Sequence, residues 1–243
     1  MSELSSLSDY RVRISPRCKR VLIRINPLGE IEVVIPQGFD PHEVPAILQQ
    51  RRRWLETHLE KLRARWAQAP HEHALRPSLI QLRALGSRWR VSYTPWSSRQ
   101  MRLKEQADSL HLYYPQAREA DADRLNSRRL QKWLNEQARR HLLPWLAQTA
   151  EELDLPYSGA CIRAQKTRWG SCSAKRVINL NRNLLFLPAE LVRYLFVHEL
   201  SHTRYMNHSA AFWRQVEKAE PDYRRLDAAL GRAAGYLPRW IHV

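Results

Sequence analysis

Glycine is scarce in this chain, seven in 243 residues, or about 3% against a usual ~7%. Neither GxGxxG nor the P-loop pattern GxxxxGK occurs, so Rossmann and P-loop nucleotide folds lack support, as do collagen-like repeats. Cysteine is scarcer still. Cys18, Cys161 and Cys172 form an odd set without CxxC spacing, which excludes a disulfide framework and a cysteine-based zinc ribbon. Such usage fits a reducing, cytoplasmic setting. No apolar run approaches the ~18 residues a membrane span needs, and the opening MSELSSLSDYRVR lacks the apolar core of a signal peptide. Acid is short as well. Asp and Glu total 24 against 40 Lys and Arg, a formal charge of +16. That excess admits a polyanionic partner such as nucleic acid, and equally a solvated basic surface. What the chain does have is 44% hydrophobic residues and nine Trp, enough for a packed core.

The patterning predicts an α+β fold, with N-terminal antiparallel strands and helices ahead of a different C-terminal part. RVLIRI, the turn NPLG and EIEVVIP read as a hairpin. From Pro41 to about Ala67 the apolar positions Val44, Ile47, Leu48, Leu55, Leu59 and Leu62 recur at helical spacing. The basic run Arg51-Arg52-Arg53 beside Trp54 is most simply that helix's solvated face. Residues 70–78, PHEHALRPS, are the linker candidate, with His71 and His73 expected to be exposed. They divide the chain into a strand–helix region at 1–70 and a larger unit at 79–243. LIQLRAL, RWRVSYTP, QMRLKE and SLHLYYP read as further strands, and residues 117–153 as a long helix broken or kinked at Pro144. CIRAQKTRWGSCS and RVINLN look like two strands around Ser173-Ala174-Lys175, before a helix that begins near Pro188.

That last helix carries His198-Glu199-Leu200-Ser201-His202, an HExxH. Residues four apart share a helix face, so His198 and His202 can aim imidazole nitrogens at one ion ~2.0–2.1 Å away. Glu199 can then reach a water activated by that ion, the position of a general base. Ten His and 16 Glu in 243 residues make one chance HExxH a roughly 0.03 event. His208 is the candidate third ligand. On a straight helix it would stand ~9 Å further along the axis, so the chain has to turn back before it. Asn207 is the residue in that stretch best suited to a left-handed turn, after which SAAFWRQVEKAE opens a new helix. Glu217 and Glu220 on that helix are alternative ligands, while Phe212, Trp213, Leu226 and Leu230 read as packing beneath the site.

The strings TRWGSCS, INLN, VHELSH, NHSAAFW and PDYRRL resemble the YgjP-like metallopeptidase family, relatives of the SprT-like and WLM-type minimal zincins. RCKRVLIRINPLGEIEVVIP and LRALGSRWRV are similar to that family's N-terminal strands. The resemblance implies a Zn2+-dependent peptidase in which an active-site helix bears His198 and His202 and the third ligand is His208. It implies no particular substrate beyond a protein or peptide. Zincins pair extended substrates with a sheet edge, which Arg163–Trp169 or Val177–Asn181 would supply here. Arg168 is the candidate for steadying the oxyanion, with Tyr194 and Tyr205 as alternatives, and Cys172 is a further residue able to meet the ion. The rival readings are a basic nucleic-acid-binding protein with a structural metal, and a protease recruited to DNA or RNA by its charge.

Overall fold

The structure, a computed structural model, describes residues 10–68 and 70–243, with every side chain in those spans except that of His71. The opening stretch read for a signal peptide lies outside the described residues up to Asp9.

The chain is α+β, built on three small sheets that repeat one arrangement. Strands β1 (Tyr10–Ser15), β2 (Leu22–Ile25) and β3 (Ile31–Pro36) pair in the order β1-β3-β2. After β4 (Leu79–Leu82), strands β5 (Ser87–Trp96), β6 (Arg102–Gln106) and β7 (Ser109–Pro115) follow suit in the order β4-β5-β7-β6. Strands β8 (Gly159–Arg163), β9 (Gly170–Cys172) and β10 (Val177–Asn181) form the third sheet, β8-β10-β9. In each, a tight turn joins the second and third strands as an antiparallel pair, and the first strand lies parallel on the third's free edge. The expectation of antiparallel N-terminal strands therefore holds for β2–β3 and fails for β1, which runs parallel to β3. The physical reason is burial. IEVVIP is the most apolar of the three strands, with Ile31, Val33, Val34 and Ile35 almost wholly buried, and only the middle position covers it from both sides. The β2–β3 turn is fastened by Asn26 Oδ1, which accepts from the N–H groups of Leu28 (3.0 Å) and Glu30 (2.9 Å). Gly29 takes φ +86 there, with the Trp66 ring 3.0 Å from where a Cβ would stand, so only glycine fits.

The expected helix after Pro41 is two, α1 (Val44–Gln50) and α2 (Arg52–Gln68), followed by the short α3 (Pro70–His73). Val44, Leu48, Leu55 and Leu59 turn inward on β3 and close a small apolar cluster. His73 is buried, not exposed, because α3 tucks between this unit and the rest: Glu72 pairs with Arg83 at 2.9 Å and Arg239 lies 3.9 Å over Trp66.

A larger core is organised around α4 (Ala122–Glu152), which runs unbroken through Pro144. Its inward stripe, including Leu130, Trp133, Leu134, Leu142 and Leu146, packs with β7, β8 and α5 (Ala189–Ser201). Helices α6 (Ala210–Ala219) and α7 (Tyr223–Gly231) close the far side of α5. Among the described residues no helix is long and apolar enough to cross a membrane.

Candidate metal centre

Helix α5 is apolar almost all round, with Leu191, Val192, Leu195, Phe196, Val197 and Leu200 buried, as a helix walled in by α4, α6 and α7 requires. Polar side chains in its last turn are therefore costly unless they have partners. His198 lies in that turn, and His202 follows immediately as the capping residue with φ −66 and ψ −15, so both keep helical phase. The chain then reverses through hydrogen bonds and hydroxyls. Thr203 and Tyr205 N–H donate to the carbonyls of Leu200 (2.9 Å) and Ser201 (3.0 Å), and Ser201 Oγ donates to Val197 O at 2.7 Å. Asn207 is not left-handed: the non-glycine residues with positive φ among those described are Ala107, Asp154 and Arg176. The turn of Thr203 to Tyr205 makes the left-handed step unnecessary. Ser209 caps α6, its hydroxyl accepting from Phe212 N–H, and His208 stands just before that cap.

This reversal brings His198, His202 and His208 together, one ring nitrogen from each lying within 4.8 Å of the others. His198 Nε2 and His208 Nε2 are 3.2 Å apart. The Tyr205 carbonyl, which can only accept, is 3.0 Å from His202 Nδ1. That nitrogen therefore carries the proton, and Nε2 keeps a free lone pair. Aromatic rings hold the imidazoles: His202 stacks on Phe212 at 4.5 Å between centroids and His208 on Trp213 at 5.6 Å. Burial, then the neighbouring His202 and His208, pushes the His198 pKa down to about 4. Burial lowers that of His202 as well. Three imidazoles with ring nitrogens this close, His198 and His202 held neutral by burial, suit a metal ion as donors and leave a fourth position free.

Glu199 is 5% exposed. Burial raises its pKa to about 7, against the opposing pull of the Arg168 charge and a hydrogen bond from the Cys172 N–H. Strand β9 lies so close that a Cβ on Gly170 would come within 2.8 Å of Glu199 Oε1. Gly170 and the Cys172 N–H thus hold the carboxylate, a role the sequence reading missed. The signal was available: a glycine inside a strand marks a close approach, and this chain has few to spend. Asp227 was missed too. It accepts the Tyr194 hydroxyl proton at 2.8 Å, while the Tyr194 ring sits edge-on to His198.

The other candidates fare differently. Arg168 is exposed but near enough to influence Glu199. Tyr194 is fully buried with its proton committed to Asp227. Glu220 is paired with Arg193 at 2.9 Å and Glu217 is exposed; neither joins the histidine cluster. Cys172 also stays outside the cluster, its thiol pushed up to about 11 by burial and then by Glu199. Val177–Asn181 cannot serve as a free edge, because β10 is the central strand; β8 and β9 are the edges. Of Arg163–Trp169 only Arg163 is in a strand.

A mixed α+β chain in which three histidines converge beside a buried carboxylate has the donor set of a metal-dependent hydrolase. The chain belongs to the YgjP-like family: the YgjP-like metallopeptidase domain matches residues 19–233. It is a metallopeptidase, and its substrates are peptides. No curated protein matches it. It is similar to the metallopeptidase zymogen abylysin of Pyrococcus abyssi, at 29% identity over 36% of this chain and 90% of that one, with a TM-score of 0.33. The zymogen jannalysin of Methanocaldococcus jannaschii is similar at 20% identity over 37% of this chain and 92% of that one, also with a TM-score of 0.33.

Proposed function

We propose that this chain is a zinc-dependent peptidase of the HExxH zincin type, with residues 79–243 as its catalytic unit. The observation that carries the reading is the convergence of three imidazole nitrogens within 4.8 Å of one another beside a buried carboxylate of raised pKa. His198, His202 and His208 would hold the ion, the first two through nitrogens that burial keeps unprotonated. Bound zinc would supply Lewis acidity, acidifying water and polarising the scissile carbonyl. The remaining steps belong to the chain. Glu199, with a pKa of about 7, takes the proton from the attacking water at a carboxylate oxygen and passes it to the leaving amine nitrogen. Strand β9 holds that carboxylate in one orientation. Arg168, whose charge acts on Glu199, would steady the oxyanion, a role for which the buried, already committed Tyr194 hydroxyl is unsuited. Three free thiols fit a cytoplasmic setting.

Glu199→Gln tests the reading. The variant should keep about one equivalent of zinc and the native fold while cleavage of denatured casein falls by roughly 10²-fold or more. Cleavage at the wild-type rate would sink the proposal. Zinc retained at full occupancy by His208→Ala would move the third ligand elsewhere.

A further inference from the structure

The outward face of the four-stranded sheet differs in kind from the face on which α4 packs. Strand alternation turns Leu110, Leu112 and Tyr114 of β7 inward, where all are buried, and so turns His111 and Tyr113 outward. In register, Arg102 stands opposite Tyr113 and Lys104 opposite His111. From β5, Arg88, Arg90 and Trp96 share this face. The aromatic side chains form a row, with His111 stacked on Tyr113 at 4.6 Å and Trp96 against Tyr113 at 5.5 Å. His111 is fixed through both nitrogens, to Ser92 Oγ at 2.9 Å and Thr94 Oγ1 at 3.0 Å, so the row is set before any ligand arrives.

The charge on this face is of one sign. None of the outward positions of β4 to β7 is acidic. Arg88, Arg102 and Lys104 have no carboxylate partner among the described residues, and Arg90 meets Asp108 at 3.4 Å in an exposed pair. At the end of the row Trp96 walls an open cavity of about 590 Å³ shared with Ser97, Ser98, Arg99 and Pro115, within the size range of small-ligand sites.

We propose that this face binds a single-stranded nucleic acid, its bases stacked on the Trp96–Tyr113–His111 row and its phosphates on Arg88, Arg90, Arg102 and Lys104. A nucleotide at one end of the strand enters the Trp96 cavity. Arg88, Arg102 and Lys104, cations without acidic partners among the described residues, select a polyanion, in keeping with the chain's charge of +16. Ring faces select unpaired bases, since stacking on a side chain is open only to a base outside the duplex. A four-stranded face is also too broad for the major groove, which admits a helix or a two-stranded ribbon. Helix α4 lies on the opposite face of this sheet and packs against α5, so the inference goes beyond the peptidase reading and stands without it.

Fluorescence anisotropy of the full chain with a labelled 20-nucleotide mixed-sequence single-stranded DNA tests this between 50 and 200 mM KCl. Four phosphate contacts predict a log–log salt slope near −3, about −0.7 per contact. Tyr113→Ala should weaken binding about tenfold. Lys104→Gln and Arg102→Gln leave the rings in place and should each weaken binding and flatten the slope by about 0.7. Arg53→Gln, on the exposed basic run of α2, should bind like the wild type. A flat salt plot, wild-type affinity in the Tyr113, Lys104 and Arg102 variants, or tighter binding of the matching duplex would overturn the proposal. So would a loss confined to Arg53→Gln.

Discussion

At the scale of single residues the metal centre depends on who holds whom. His202 is orientated by the Tyr205 carbonyl and Phe212, and His208 lies on Trp213. Glu199 depends on the smallest side chain available. A methyl at position 170 would stand 2.8 Å from Glu199 Oε1 and 3.0 Å from its Cγ, closer than real contacts allow, so the carboxylate would have to swing away. Gly170→Ala should therefore fold and bind zinc normally yet lose on the order of 10²-fold in kcat, the penalty for misplacing a reacting group by about an ångström. Steady-state kinetics together with metal analysis check this, and an unchanged kcat would show that the close approach is incidental. The motif HExxH was legible because helical spacing alone makes its two histidines neighbours; His208 could be named only as a candidate, since its place depends on how the chain turns back. Gly170 was half legible: a glycine in a strand signals a close approach, but nothing in the local pattern says which helix that strand will lie against.

Among the elements, β10 is the one on which the site hangs. It is the middle strand of its sheet and its last residue, Asn181, is 3% exposed. Asn181 Nδ2 donates to the carbonyls of Gln165 and Arg168, both at 2.8 Å, and Oδ1 accepts from Asn183 N–H at 3.0 Å. One amide thus pins the loop that carries Arg168 and leads into β9. Asn181→Leu leaves those three groups without their partner and should cost about 2–4 kcal/mol, at roughly 1 kcal/mol or somewhat more per lost bond. Urea unfolding should show a lower midpoint at unchanged slope, and a loss under about 0.5 kcal/mol would contradict the role. Period-2 and period-3.6 patterns located the strands and helices well, including α5 and the hairpin of β2 and β3. They could not show which strand takes the centre, because pairing order depends on how much apolar surface each strand has to cover. Hence β1 is parallel where antiparallel was expected, and β10 is central where an edge was expected.

Across the whole molecule two apolar clusters meet at a polar junction. The smaller joins β3 to α1 and α2; the larger is gathered on α4 and α5. Between them His73 is 8% exposed. Its pKa is lowered from 6.5, first by burial and then by Arg65, Arg83 and Arg239, with Glu72 opposing. A histidine with a depressed folded pKa contributes stability that is complete above its unfolded value, about 6.5, and drains away as pH falls below it. The unfolded chain takes up the proton first. Thermal melts from pH 7.5 to 5 should accordingly show a steeper acid loss for the wild type than for His73→Leu, and identical slopes would rule out this contribution. Composition and spacing determined on their own that the chain has an apolar core, that it is strongly basic, and that its helical HExxH sets two histidines one turn apart. These properties depend on residue type and on intervals of a few residues, which local geometry translates directly. Only the tertiary structure decided that His208 returns to the pair, that β9 closes on Glu199 and that the basic strands share one exposed face with a row of aromatic rings. Each of those joins residues brought together by the packing of whole elements, where the balance of burial and pairing, not spacing, settles who becomes a neighbour.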